Sequence, residues 1–141
     1  MKKTTILLVL TFALMLLTAC SPRTISIEDH TWRMRTIIQN DSDASVPAVG
    51  ITDELYPDAP VIDLTLTAEA GKLVITDSTN NAVYEGTYAV ADKSSATVNY
   101  VVTVNGQDGY AATALTEYSD NSKMPTMTIN LGSYSIYLEA I

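Results

Sequence analysis

From Trp32 to the end of the chain, apolar and polar residues alternate with a period of two, and this pattern constrains the fold more than any other feature of the sequence. In residues 61–68, for example, Ile62, Leu64 and Leu66 alternate with polar residues. Successive side chains of a β-strand point to opposite faces, so such a run predicts a strand with one dry and one solvated face. Turn signals such as Asn105-Gly106 separate the runs. We therefore predict an all-β domain.

The alternating runs predict eight strands. They cover residues 32–39, 61–68, 73–75, 83–90, 97–104, 110–118, 126–131 and 134–139. Clean alternation is typical of antiparallel sheets, which keep one face in water. A meander of eight strands leaves two unpaired edges unless it closes on itself. We therefore predict an eight-stranded antiparallel up-and-down barrel over residues 31–141, with a two-sheet β-sandwich as the alternative.

The first twenty residues have the features of an export signal. Lys2 and Lys3 precede an apolar run over residues 6–17. A transmembrane helix needs about 20 apolar residues to cross a hydrocarbon core of ~30 Å, and this run is shorter. It has the length of the apolar region of a signal peptide. The run ends in Leu17-Thr18-Ala19-Cys20, where an apolar residue and two small ones precede the only cysteine of the chain.

This ending resembles the lipobox of bacterial lipoproteins. The resemblance implies that residues 1–19 are a signal peptide and that Cys20 becomes the first residue, carrying fatty acyl chains such as palmitate. A lone cysteine has no internal disulfide partner, which agrees with this use. More than one acyl chain anchors a protein stably to a membrane. We therefore predict a lipid-anchored protein of the bacterial cell envelope, with its domain on the extracytoplasmic side and residues 20–30 as lipidated cysteine and tether.

The charge of the chain after residue 19 excludes one class of partner. This part has six Lys and Arg residues against sixteen Asp and Glu residues, a formal charge of −10. A surface of this sign repels phosphate backbones, so we expect no nucleic acid partner. The same acidity keeps an exported protein soluble. We expect the lipid on Cys20, rather than surface charge, to hold the protein on a membrane.

The order of the predicted strands resembles that of the lipocalin-like (calycin) barrels found in small bacterial lipoproteins. Trp32 begins the first strand, residues 40–60 form a long connection to the second, and the later connections are short hairpins. Gly86-Thr87-Tyr88 is similar to a "G-x-Y" stretch of that group. The chain differs from lipocalins proper at His30, where they have glycine, and in having no Lys or Arg after Lys123. The resemblance implies a barrel whose mouth lies beneath its first loop.

Residues for catalysis or metal binding do not form a recognisable set. His30 is the only histidine, and Cys20 is taken by the lipid, so neither a Ser-His-Asp nor a Cys-His arrangement is indicated. Zinc needs three or four His and Cys ligands. The carboxylates of the long connection lack the spacing of a calcium loop; they are Asp41, Asp43, Asp53, Glu54 and Asp58. We therefore predict no enzymatic activity, no metal and no cofactor.

Tyrosine is the common aromatic residue, with eight Tyr against one Phe. Alternation turns Tyr88, Tyr100 and Tyr134 inward together with Trp32. Aromatic side chains with polar tips suit a pocket that orients a small apolar or amphipathic ligand, and we take these four as candidate ligand-binding residues. The alternative is that they fill the barrel. Three further tyrosines are predicted to face outward, where they suit a protein partner; they are Tyr110, Tyr118 and Tyr137.

Three functional hypotheses follow from the sequence. The first is a membrane-anchored, non-catalytic binding or interaction lipoprotein that holds a small apolar or amphipathic ligand. The second is a solid-core accessory or structural subunit of an envelope protein assembly. The third is a hydrolase that acts on envelope polymers through two carboxylates, because sixteen acids are present but no pair is singled out.

Overall fold

A computed structural model describes residues 24–40, 44–47 and 62–141. Cys20 and the five carboxylates predicted in the long connection lie outside these residues. The described chain contains nine β-strands and no helix. Their bounds are β1 Trp32–Gln39, β2 Ala44–Pro47, β3 Leu64–Glu69, β4 Lys72–Asp77, β5 Ala82–Lys93, β6 Thr97–Val104, β7 Gln107–Glu117, β8 Lys123–Leu131 and β9 Tyr134–Ala140.

Eight of these strands form a closed antiparallel up-and-down barrel. Strands β3 to β9 pair in chain order, and β1 pairs with β3 on one side and β9 on the other. Each of the eight corresponds to one predicted run of alternating residues. Closure gives every strand two neighbours and so removes the exposed edges that a flat meander would leave. The predicted barrel is confirmed, and the sandwich alternative is wrong.

The ninth strand, β2, lies within the predicted long connection. It pairs with the second half of β1, from Gln39↔Ala44 to Thr36↔Pro47. Strand β3 pairs with the beginning of β1, at Arg33↔Thr65 and Trp32↔Leu66. Because β9 occupies the opposite edge of β1 throughout, β2 and β3 lie along the same edge. Four residues are too few for a period of two to be recognised, so the sequence pattern gave no sign of this strand.

The two ends of the barrel differ. We call the end where β1 begins and β9 ends the closed end, and the opposite end the mouth. Residues 24–31 pack across the closed end, although the sequence assigned residues 24–30 to a tether. Ile25 and Ile27 are buried in the same core as Trp32. These residues are not a strand, so they carry no period-two signal, and the described part of the predicted tether belongs to the packed domain.

Hydrogen bonds fix this segment beneath the strands. The indole Nε1–H of Trp32 donates to the carbonyl of Ile27 at 2.8 Å, and the Ile27 N–H donates to the hydroxyl of Tyr100 at 3.0 Å. The hydroxyl of Thr113 donates to the carbonyl of Ile25. All three bonds are buried, where an unpaired polar group would cost about 1–3 kcal/mol. The segment therefore satisfies barrel polar groups as well as burying its own apolar side chains.

Core burial decreases from the closed end to the mouth. Near the closed end, side chains such as Ile27, Trp32 and Leu73 are 0–1 % exposed. At the mouth, the inward-facing side chains are 5–9 % exposed; they are Leu64, Ile75, Val104, Leu131 and Ile136. The barrel is thus packed solid at one end and partly open at the other.

Two side chains on the same face of β5 as Tyr88 are exposed. Tyr84 is 38 % and Val90 61 % exposed, although both follow the inward register of β5. The cause is the length of β5, which has 12 residues against six in β4. Tyr84 lies beyond the last residue paired with β6, and Val90 beyond the last residue paired with β4. The alternation gave the correct face but could not show where the neighbouring strands end.

Gly86 of the "G-x-Y" stretch has a packing role. A Cβ atom at this position would lie 2.3 Å from the backbone oxygen of Thr103 on β6. Such a distance cannot be relieved by side-chain movement, because the obstructing atom belongs to the backbone. Glycine therefore permits the close approach of β5 and β6. The "G-x-Y" stretch thus reflects how these two strands pack.

Replacement of Ile27 tests whether residues 24–31 belong to the cooperative unit. Ile27→Ala should lower the free energy of unfolding by about 2–5 kcal/mol, because it opens a cavity in the tightest part of the core. Urea denaturation measures the change. Val83→Ala, at an exposed position of β5, is the control and should change stability by no more than about 0.5 kcal/mol. Equal stability of both variants would show that the segment does not stabilise the barrel.

Candidate functional site

The four predicted ligand-binding residues divide between the two ends of the barrel. Trp32 and Tyr100 are buried at the closed end, where Tyr88 packs against them. The rings of Tyr88 and Tyr100 meet edge to face, with centroids 5.8 Å apart. Tyr134 begins β9 at the mouth and is 46 % exposed. The structure therefore brings three of the four together and leaves Tyr134 apart from them.

The hydroxyl of Tyr88 forms hydrogen bonds with two separate segments at the closed end. Its hydroxyl donates to the carboxylate of Glu28 and accepts the N–H of Gly71 at 3.2 Å. The same Glu28 oxygen accepts the N–H of Ala70 at 2.9 Å. Burial raises the pKa of Tyr88, and the hydrogen bond to Glu28 raises it further, because both favour the neutral phenol. The side chain thus joins residues 24–31 to the β3–β4 turn.

His30 is half-buried against the core. Its ring meets that of Trp32 edge-on, with centroids 5.5 Å apart and planes at 83°. Asp29 and Ser95 lie around the same surface hollow as His30. Within the described residues, His30 forms no ion pair with Asp29 and no hydrogen bond with Ser95. His30 therefore covers the edge of the tryptophan.

The mouth contains an apolar hollow of about 340 Å³. Its floor is the upper layer of the core, which is only partly covered from solvent. Tyr84 and Tyr134 form its aromatic rim, and Asn105 and Gln107 add amide groups. The volume lies at the lower end of the ~300–1,000 Å³ found for small-molecule sites. The floor-forming side chains are Ile37, Leu64, Ile75, Val104, Leu131 and Ile136.

Tight turns hold the rim in place. Asn105 and Gly106 adopt positive φ values of 49° and 79°, which these residue types accept at low cost. In the β4–β5 turn, the carboxylate of Asp77 accepts the N–H groups of Thr79 and Asn80 and the side-chain amide of Asn80 at 2.7 Å. The Asn80 amide bond is the main cause of the lowered pKa of Asp77. These bonds pre-organise the rim around the hollow.

A larger hollow, of about 630 Å³, opens at the closed end. We take the mouth as the candidate ligand site because its floor is the barrel core, whereas charged and polar side chains form half of the walls of the closed-end hollow. Size alone does not define a ligand site. A small ligand is bound by concave apolar surface with a few polar groups, and the mouth has this character.

Sequence reasoning missed part of the rim of the mouth. Tyr84 lies on the same face of β5 as Tyr88 but was not among the candidate residues. Asn105 was recognised only as a turn residue. The missing information was the height of each residue in the barrel, which depends on strand tilt and register. Alternation identifies the face of a strand but not the end of the barrel at which a residue lies.

Within residues 24–40, 44–47 and 62–141, no group of three or more His, Cys, Asp or Glu side chains is placed to hold a metal ion. No helix in the same residues has the length and apolar character needed to cross a membrane. The chain matches no profile of a known protein family, no curated protein and no solved structure. The fold alone defines its class, an eight-stranded antiparallel β-barrel consistent with a lipocalin-like architecture.

Tyr88→Phe tests the polar bridge at the closed end. The variant leaves Glu28 without the phenolic donor and should lower the free energy of unfolding by about 1–2 kcal/mol at neutral pH. Because the folded pKa of Tyr88 is raised, its contribution is present below the unfolded value of about 10 and lost as pH rises through the folded value. Denaturation at pH 7 to 11 should therefore show a weaker alkaline loss in the variant. Tyr137→Phe, on the outer wall, is the control and should behave as the native chain does.

Proposed function

We propose that this protein is a lipid-anchored, non-catalytic binding protein of the bacterial cell envelope, whose barrel mouth holds a small apolar or amphipathic molecule. The observation that carries the proposal is the apolar hollow at the mouth, floored by the outermost layer of the core and bordered by Tyr84 and Tyr134. Exposed apolar surface with an aromatic border is favourable for burying an apolar ligand.

The charged side chains near the mouth limit the kinds of ligand that could bind there. The carboxylates described near the mouth include Asp63, Asp77 and Asp108. Arg33 reaches this end of the barrel, where its guanidinium forms an ion pair with Asp63 at 3.3 Å. The other four described basic residues lie elsewhere; they are Arg35 in the first half of β1, Lys72 at the start of β4, Lys93 at the end of β5 and Lys123 at the start of β8. A carboxylate or phosphate on the ligand would therefore meet only a cation that is already paired with Asp63. We therefore favour a neutral or cationic amphipathic ligand over a fatty acid.

The second hypothesis, a solid-core accessory subunit of an envelope assembly, is favoured by a different observation. The closed half of the barrel interior is filled by Trp32, Tyr88 and Tyr100. Outward-facing tyrosines supply amphipathic contact surface for a protein partner; they are Tyr110, Tyr118 and Tyr137. A protein partner on the outer wall is compatible with a ligand at the mouth.

The hydrolase hypothesis gains no support from the described carboxylates. Asp77 is the one buried acid among them, and its oxygens are used in the β4–β5 turn. A general acid needs a raised pKa, whereas that of Asp77 is lowered. We therefore do not propose a catalytic role for it.

Substitution of Tyr134 tests ligand binding at the mouth. Tyr134→Ser should weaken binding of a neutral naphthylamine dye by about tenfold, because roughly 1.4 kcal/mol of apolar contact would be lost. Fluorescence titration measures the dissociation constant. Tyr110→Ser, on the outer wall, should leave it unchanged. Equal weakening in both variants, or none in either, would argue against a site at the mouth, and native mass spectrometry of protein from cells would then be expected to show a protein partner.

Substitution of Cys20 tests the anchor. Native protein should appear in the membrane fraction with a mass that includes acyl chains on Cys20. Cys20→Ser removes the thiol that receives the lipid and should shift the protein out of that fraction or leave it with an uncleaved signal peptide. Mass spectrometry of the N-terminal peptide distinguishes these outcomes. A native chain without acyl groups would refute lipid anchoring.

A further inference from the structure

Two hairpins extend past the closed end of the barrel. Strand β5 pairs with β4 only as far as Thr87, but with β6 as far as Lys93. Strands β7 and β8 remain paired as far as Glu117 and Lys123. We call residues 89–97 and 115–124 the overhang. The 630 Å³ hollow lies between the overhang and residues 25–30; its walls include Ile25, His30, Ala96, Leu115, Lys123 and Pro125.

Three exposed apolar side chains lie at this end. Leu115 follows the inward register of Ala111 and Thr113, yet it is 45 % exposed because it lies on the overhang. Val90 is exposed on the inward face of β5 for the same reason. Ile141 is 69 % exposed, directly after the end of β9. Leu115 also lines the hollow together with Ile25, Ala96 and Pro125. Contiguous exposed apolar surface marks a membrane or protein contact more often than isolated apolar residues do.

The charges of the two ends differ as well. All three lysines of the described residues lie at the closed end, among acidic side chains, whereas the described charges near the mouth are carboxylates and Arg33, which is paired with Asp63. Lys72 and Lys93 have no ion-pair partner in the described chain, and Lys123 pairs with Glu117 at 3.2 Å. Long lysine side chains can lie along an apolar surface while the ammonium group reaches water or a phosphate. Mixed charge of this kind complements zwitterionic phospholipid headgroups.

The length of the chain between anchor and barrel limits how the domain can lie. Only three residues, 21–23, separate Cys20 from Thr24, where the described chain begins at the closed end. Fully extended, the four residue steps from Cys20 to Thr24 reach about 14 Å. Strands of eight residues tilted by ~40° give a barrel roughly 20 Å high. A lipid anchor on so short a connection holds the closed end next to the bilayer. The mouth cannot reach the bilayer surface.

We propose that the closed end is a membrane-docking surface. The overhang, the hollow and Ile141 rest on the zwitterionic headgroups of the bilayer that holds the lipid on Cys20, and the mouth faces the aqueous phase. This inference rests on the proposed lipid anchoring. It also specifies the source of the ligand, which reaches the mouth from solution rather than from the underlying membrane.

The test uses acylated mature protein in phosphatidylcholine vesicles that contain a small fraction of nickel-chelating lipid. Acylation leaves no free thiol, so Ser95→Cys at the closed end and Asn105→Cys at the mouth each accept one nitroxide label. Nickel at the headgroups should enhance the paramagnetic relaxation of the nitroxide at position 95 several times more than that of the nitroxide at position 105. Equal relaxation at the two positions, or stronger relaxation at position 105, would overturn the docking proposal.

A second pair of variants measures the apolar contribution. Leu115→Gln should lower the ratio of docked to undocked protein roughly fivefold, as expected for losing about half the transfer free energy of a leucine. Tyr110→Gln, on the outer wall, should have no effect. An unchanged ratio in Leu115→Gln would overturn the role of the overhang. Absence of acyl chains from Cys20 would instead remove the anchoring on which the docking rests, so mass spectrometry distinguishes the two failures.

Discussion

The closure of the barrel by residues 24–31 is the interaction on which the rest of the structure depends. The backbone of Ile27 accepts a hydrogen bond from Trp32 and donates one to Tyr100, so two large aromatic residues have polar partners inside the core. Without this segment, the indole N–H and the Thr113 hydroxyl would be buried without their partners. The same contacts make the closed end solid. The hollow that is floored by the barrel core therefore lies at the mouth, whereas the hollow at the closed end lies outside this segment.

Sequence periodicity predicted the barrel correctly because half-buried antiparallel strands leave a strong signal, one that all eight barrel strands carry. It did not reveal β2, which is too short, or the packing of Ile25 and Ile27, which lie outside any strand. The candidate site was harder to predict. Trp32, Tyr88 and Tyr100 were placed on the correct face, but alternation does not give height in a tilted barrel. Three of the four candidate residues therefore lie at the closed end, and only Tyr134 borders the hollow at the mouth.

We propose a different function for each end of the barrel, which is anchoring at the closed end and ligand binding at the mouth. At the closed end, aromatic packing and the Glu28–Tyr88 hydrogen bond give a rigid base next to the anchor. At the mouth, core side chains are less deeply buried, and their contacts with a ligand would replace contacts with water. A scaffold that is rigid at its base can hold a shallow site in a fixed shape, because the turns around the rim are themselves hydrogen-bonded.

The edge of β1 shared by β2 and β3 is the least continuous part of the barrel wall. Strand β3 meets β1 only at Trp32↔Leu66 and Arg33↔Thr65, and further pairing on this edge comes from β2. Local opening of a protein begins where few backbone hydrogen bonds must break together. This seam would then be the first place to separate during thermal fluctuations. Amide hydrogen exchange should accordingly be faster along this edge of β1 than between β7 and β8, whose pairing is uninterrupted from Gly109 to Glu117.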